Sequence, residues 1–205
     1  MKKLYIIFSS TDRKTGKFIR KVTRHNYNHV AISLDGMQTL MSFSRLYVNH
    51  AMLGGFVEES PKRYLLSPNV SVKAVEIEID NNAYAKIISK IRQMQRAPQS
   101  YVYNFASIVF YPVGMRIKRA KCYTCAEFAR DILVVAGILK KSRQSVKIAE
   151  LEEELQGFGC VEGTALEVFG EETESWGNDV YLEEISALKA YKETARRLKK
   201  VVFNH

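Results

Sequence analysis

The sequence predicts an α+β fold in which an antiparallel sheet packs against helices, and three patterns predict it. Two runs in which apolar residues alternate, Asn28 to Leu34 and Met37 to Ser44, meet at Asp35-Gly36, a hairpin signal. A third alternating run spans Val72 to Asp80. The segments that follow it carry apolar residues at helical spacing, the mark of amphipathic helices packed on a sheet.

The elements can be justified in order. Lys3 to Phe8 reads as a short buried strand. Thr15 to Arg24 is basic, with Phe18, Ile19 and Val22 at helical spacing. In the hairpin, Val30, Ile32 and Leu34 alternate with His29, Ala31 and Ser33, and Gly36 accepts the positive φ of a tight turn. Pairing Leu34 with Met37 places Ser42 directly opposite His29. Gly54-Gly55 and Ser60-Pro61 punctuate an irregular stretch that runs to Asn69. Val75, Ile77 and Ile79 then face away from Ala74, Glu76 and Glu78. Ala83 to Ala97 is a helix with Tyr84, Ile87, Ile88, Ile91 and Met94 on one stripe, ended by Pro98. Tyr101 to Phe110 is apolar and aromatic and reads as a buried helix, and Thr124 to Ala136 is a helix closed by Gly137. The acidic stretch from Glu150 to Glu184, broken by five glycines, reads as irregular. Ile185, Leu188, Tyr191, Ala195, Leu198 and Val202 mark a basic amphipathic helix.

Composition bounds the function. With 205 residues and 46% hydrophobic side chains, the chain can bury a sizeable core. Its longest nearly uncharged apolar run, Ile132 to Leu139, is far short of the roughly 20 residues of a membrane span. The apolar run at the start stops at Ser9 before an Asp-Arg-Lys cluster, so no signal peptide develops and a cytoplasmic location is expected. Three cysteines fit a reducing compartment and no disulfide scaffold. The net charge of +9 hides a division: residues 150 to 184 hold twelve acids and no Lys or Arg. The rest of the chain therefore carries +21. A basic body attracts nucleic acid, but an acidic stretch folded back on it would mask that surface, so strong nucleic-acid binding is not expected. Leu151, Leu155, Leu166, Val168, Phe169 and Trp176 give the stretch apolar anchors for docking.

The chemistry concentrates at Thr124-Cys125-Ala126-Glu127. This is a capping box, with Thr124 as N-cap and Cys125 at the first helical position. Unpaired N–H groups and the positive end of the helix dipole favour thiolate there, and the thiolate is the nucleophilic form. A small buried residue at a helix start is the bland alternative. Cys122 and Cys125 form C-x-x-C, but Cys160 is alone and no histidine pair supplies further ligands, so neither metal nor cofactor is expected. A nucleophilic cysteine needs a base. Of the four histidines, His205 is terminal, His25 lies in a polar loop and His50 in the irregular stretch. His29 opens a strand beside small Ala31 and Ser33, which leave room for a facing helix end.

Tyr27-Asn28-His29-Val30-Ala31-Ile32-Ser33-Leu34-Asp35, then Ser42-Phe43-Ser44-Arg45, Gly54-Gly55-Phe56-Val57 and Cys125-Ala126-Glu127-Phe128 resemble, in that order, the circularly permuted NlpC-type papain-like cysteine peptidases. These include YiiX-like proteins and are related to the lecithin:retinol acyltransferase-like proteins. Tyr103-Asn104-Phe105 also looks like a segment of that family. The resemblance spans Lys3 to about Leu139. It implies a permuted papain-like domain over residues 1–145, with Cys125 as nucleophile, His29 as base and, at the position of the imidazole-orienting residue, Ser42. Residues 146–205 lie outside it and are expected to dock on the same domain. The function it implies is hydrolysis of a small peptide or amide substrate through an acyl-enzyme. Two rivals differ in class: deacylation or acyl transfer on a lipid, which would need an apolar membrane-facing segment near the site, and a non-catalytic binding module with a decayed site.

Overall fold

The computed structural model describes residues 1–10, 25–67, 69–105, 107, 119–141, 146–171, 176–177 and 179–203. The helix expected over Thr15 to Arg24 lies outside the described residues, as do His205 and most of the segment after Phe105.

Six strands form one antiparallel sheet. They are β1 (Lys2–Ser9), β2 (His29–Ser33), β3 (Leu40–Tyr47), β4 (His50–Glu59), β5 (Ser71–Ile79) and β8 (Cys160–Thr164), in the order β4-β3-β2-β1-β5-β8. A separate parallel pair joins β6 (Val102–Tyr103) to β7 (Cys122–Tyr123). The described helices are α1 (Lys62–Leu65), α2 (Asn81–Arg96), α3 (Cys125–Val135), α4 (Ile148–Glu154), α5 (Ala165–Phe169) and α6 (Ala187–Phe203). The α+β architecture expected from the sequence is the one observed.

Alternation along the strands sorts side chains to two faces. Leu4, Ile6, Phe8, Val30, Ile32, Phe43, Val75 and Ile77 pack against Ile87 and Ile91 of α2, Phe128, Ile132 and Leu133 of α3, and Leu151 of α4. The opposite face, with Ile7, Ala31, Leu40, Val72 and Ala74, holds a smaller core with Tyr64 of α1 and Ala165 of α5. Burying such a Leu, Ile or Phe is worth about 1.5–3 kcal/mol. Asp80 caps α2 by accepting from the Ala83 N–H at 2.7 Å. Beyond the C-terminus of α3, Gly137 takes φ 78°, the left-handed conformation that ends a helix cheaply.

Four expectations need correction. The Asp35-Gly36 turn is wider than two residues, because both Gly36 (φ 71°) and Met37 (φ 69°) are left-handed and Ser33 Oγ accepts from the Met37 N–H at 3.0 Å. The observed pair Ile32–Met41 moves the register by two, which puts Ser44 opposite His29 and Ser42 opposite Ala31. An even slip keeps every side chain on its face, so Ser42 still shares the face of His29.

The stretch expected to be irregular up to Asn69 contains the long strand β4 and the one-turn helix α1. Its two glycines are no turn: a Cβ on Gly54 would lie 2.8 Å from the Tyr103 Cβ, and one on Gly55 would collide with the Tyr101 carbonyl oxygen. They are small so that the segment leading into β6 can cross β4 at close range. Tyr101 to Phe110, expected as a helix from its start, begins instead with β6, and is helical at Phe105 and Ser107 in its described part.

The acidic stretch is also ordered. It supplies α4, α5 and the edge strand β8, which pairs with β5 from Ser71–Thr164 to Val75–Cys160. Residues beyond 146 therefore complete the sheet. Glu152 meets Lys73 at 2.7 Å and His25 at 2.9 Å, Glu162 accepts from the Tyr27 hydroxyl at 2.6 Å, and Glu154 pairs with Arg130. No helix among the described residues is long and apolar enough to cross a membrane.

Candidate active site

Thr124 and Glu127 form the reciprocal cap that the sequence predicts. The Glu127 N–H donates to Thr124 Oγ1 at 3.1 Å and the Thr124 N–H donates to Glu127 Oε2 at 2.9 Å. The cap fixes where α3 begins, and so fixes Cys125, which is buried at its first position. His29 opens β2, at the end of the strand, where its ring meets the start of α3. The Cys125 sulfur lies within hydrogen-bonding reach of the His29 imidazole and of the Tyr103 hydroxyl on β6. Strand β2, helix α3 and strand β6 thus converge on one sulfur.

The orienting partner of His29 is a residue the sequence reading missed. Glu59, the last residue of β4, is fully buried, and its two oxygens lie 3.1 and 3.2 Å from His29 Nε2. Ser42 makes its hydrogen bond to Glu59 Oε1, the oxygen to which Ser44 Oγ also donates at 2.8 Å. The Tyr64 hydroxyl donates to Glu59 Oε2, and its ring stacks beside His29 with centroids 6.4 Å apart. Arg63, four residues on, places its guanidinium 2.9 Å from Glu59 Oε1. Five side chains thus serve one carboxylate, as a buried charge requires.

Arg63 is held in turn from the far end of the chain. Its Nε and one terminal nitrogen each donate at 2.6 Å to the two oxygens of Asp179, a bidentate pair. Asp179 also accepts from the backbone N–H groups of Ser60 and Tyr181 at 2.9 and 3.0 Å. The Tyr181 ring lies under the Arg63 guanidinium at 4.3 Å. The charges therefore alternate along a buried line, Asp179, Arg63, Glu59 and His29, that ends beside Cys125.

That order sets the protonation states. Burial alone would discharge His29, but the Glu59 carboxylate and hydrogen bonds to Cys125 and Glu59 outweigh it, and its pKa is pushed up to about 10. Burial likewise opposes the Glu59 charge, yet Arg63 first and His29 second hold this carboxyl well below the usual range. Burial, then the neighbouring sulfur, pushes the Tyr103 phenol well above its ordinary value, so it stays protonated as a donor. Cys122 is unlike Cys125: burial pushes its thiol up despite Arg119. All three cysteines are free, and among the described residues no three His, Cys, Asp or Glu side chains gather as metal ligands.

Sequence reasoning found Cys125 through its cap and His29 through its strand. It missed Glu59, Arg63, Tyr64 and Asp179, and it noted Tyr103 without a role. The Glu59–Arg63 spacing of four was the one local signal available. The chain matches no protein-family model, and no curated protein or solved structure matches it.

Proposed function

We propose that the protein is a cysteine hydrolase, a peptidase or amidase with a permuted papain-like arrangement. The observation that carries this reading is the chain Glu59–His29–Cys125, in which a buried carboxylate keeps an imidazole charged beside a thiol at a helix N-terminus. Glu59 occupies His29 Nε2, which leaves Nδ1 to serve the sulfur. The Cys125 thiolate attacks the substrate carbonyl, and its negative charge moves to the carbonyl oxygen. Collapse of this intermediate breaks the C–N bond as His29 gives its proton to the leaving amine. Neutral His29 then takes a proton from water, whose oxygen attacks the thioester. The acid leaves and Cys125 is regenerated.

Two donors suit the oxyanion: the backbone N–H of Cys125, which has no intrahelical acceptor at the first helical position, and the Tyr103 hydroxyl. Losing one such donor costs about a hundredfold or more in rate. The reading places the protein in a reducing cytoplasm, supported by its free thiols, with a small peptide or amide as substrate and no strong nucleic-acid binding. The ion pairs that dock the acidic stretch on the basic body support the last point.

The test is acylation by p-nitrophenyl acetate, followed by nitrophenolate release and intact-protein mass spectrometry. The expected result is a burst with one acetyl group on Cys125, absent in Cys125→Ala and strongly slowed in His29→Ala. A burst that survives Cys125→Ala, or no acetyl group on Cys125, would overturn the reading.

A further inference from the structure

Helix α6 is built the wrong way round for a helix that only packs on its own domain. It lies against β4, the 3₁₀ turn at Pro98–Ser100 and β6. The side it turns inward carries Ala190, Thr194, Glu193 and Arg197, which is small or polar. The apolar stripe points out: Leu188 is 66% exposed, Tyr191 72% and Leu198 48%, and Ala195 between them is exposed as well. These positions fall at intervals of three and four, so they form one line along the helix. An amphipathic helix normally buries that line.

The charges beside the stripe are of one sign. Lys192 and Lys199 flank it directly, and Lys189 and Arg196 follow on the next row, all exposed. The single acid of α6, Glu193, is taken by Arg196 at 2.8 Å and Arg197 at 2.8 Å. Glu183 and Glu184 stand ahead of the helix, at its N-terminal end. Long lysines rimming an exposed apolar line can extend to headgroup phosphates while the line enters the acyl boundary. A second copy of the same helix would instead set bases against bases across the contact.

We infer that α6 is a docking surface for an anionic lipid membrane, lying in the plane of the interface with Leu188, Tyr191 and Leu198 inserted. The inference does not rest on the chemistry of Cys125. It bears on substrate choice all the same, because α6 packs on β6, whose Tyr103 touches the Cys125 sulfur. Docking would therefore hold the site beside the bilayer, where a peptide or amide substrate held at the membrane would meet it.

The experiment is flotation of the full-length protein with vesicles of phosphatidylcholine alone or mixed with phosphatidylglycerol, over a range of salt. The wild type should float with the anionic vesicles only and be released by salt. Leu188→Ser/Tyr191→Ser/Leu198→Ser, which leaves the charge unchanged, should bind about tenfold more weakly, and Lys192→Gln/Lys199→Gln should lose a similar factor. Circular dichroism and p-nitrophenyl acetate turnover check that both variants remain folded. No binding by the wild type would overturn the inference. So would binding that the triple serine variant leaves unchanged, which would reduce it to the attraction of a basic protein for any acidic surface. Self-association without vesicles that the same variant abolishes would assign the stripe to a second copy, and would also overturn it.

Discussion

Of the contacts between the acidic stretch and the basic body, two carboxylate–guanidinium pairs differ most in their access to water. Around α4, Glu154 pairs with Arg130 while 37% exposed, so solvent screens most of the attraction. Around the 3₁₀ turn at Val180–Leu182, Asp179 pairs with Arg63 with side chains only 1% and 8% exposed. Both pairs join the same chemical groups. The first is worth at most about 1 kcal/mol, whereas breaking a buried pair on one side costs about 3–5 kcal/mol because a charge is stranded. The difference teaches that the −12 of this stretch is mostly a solvated counterweight, while one carboxylate in it is built into the line that ends at Cys125.

The largest effect is expected at the centre of that line. Glu59→Gln leaves His29 a buried cation without its carboxylate, while Arg63 keeps only Asp179, so chemical denaturation should show a loss of about 3–5 kcal/mol. A loss under about 1 kcal/mol would mean that water reaches the carboxylate and that the contrast with α4 is false. Asp179→Asn should cost less, about 2 kcal/mol, because Arg63 keeps Glu59 and the amide oxygen still accepts from it.

The dependence on pH sharpens the comparison. His29 has a raised pKa, so its contribution to stability is complete below about 6.5, its unfolded value, and fades as pH climbs toward about 10. Glu59 has a lowered pKa, so its contribution is complete above 4.5 and is lost as pH falls below that value. The pair should therefore stabilise most between these limits. The difference in unfolding free energy between wild type and His29→Gln, measured from pH 5 to 10, should shrink steadily above pH 6.5. A difference that stays flat across this window would show that His29 is neutral in the folded protein.

The smallest effect belongs to the exposed pair. Glu154→Gln should change stability by less than about 1 kcal/mol, and high salt should erase even that. A cost that equals the Asp179→Asn cost would break the distinction.

The same contrast explains what could be read from the sequence. Thr124, Cys125 and Glu127 act within one helical turn, and His29 sits in a strand whose alternation is plain, so these positions were legible. Strand β4 was not, because Gly54-Gly55 imitates a turn when its purpose is to let Tyr101 and Tyr103 cross closely. Glu59, at the end of that strand, was hidden with it. Strand β8 was hidden because an edge strand held by backbone hydrogen bonds, with its side chains mostly exposed, needs no alternation. Asp179 stands 116 positions from Arg63, and no local pattern links them. The hairpin register slipped by two because Met37 adopts a positive φ that methionine rarely takes.

The most direct measurement of the central claim is the rate of iodoacetamide alkylation at each of the three cysteines as a function of pH, in wild type and in Glu59→Gln. If Glu59 keeps His29 charged beside Cys125, then Cys125 is alkylated faster at pH 6 than Cys122 and Cys160, and the advantage collapses in Glu59→Gln. Alkylation of all three at similar rates at pH 6, or a Cys125 rate that Glu59→Gln leaves unchanged in a folded protein, would contradict the account.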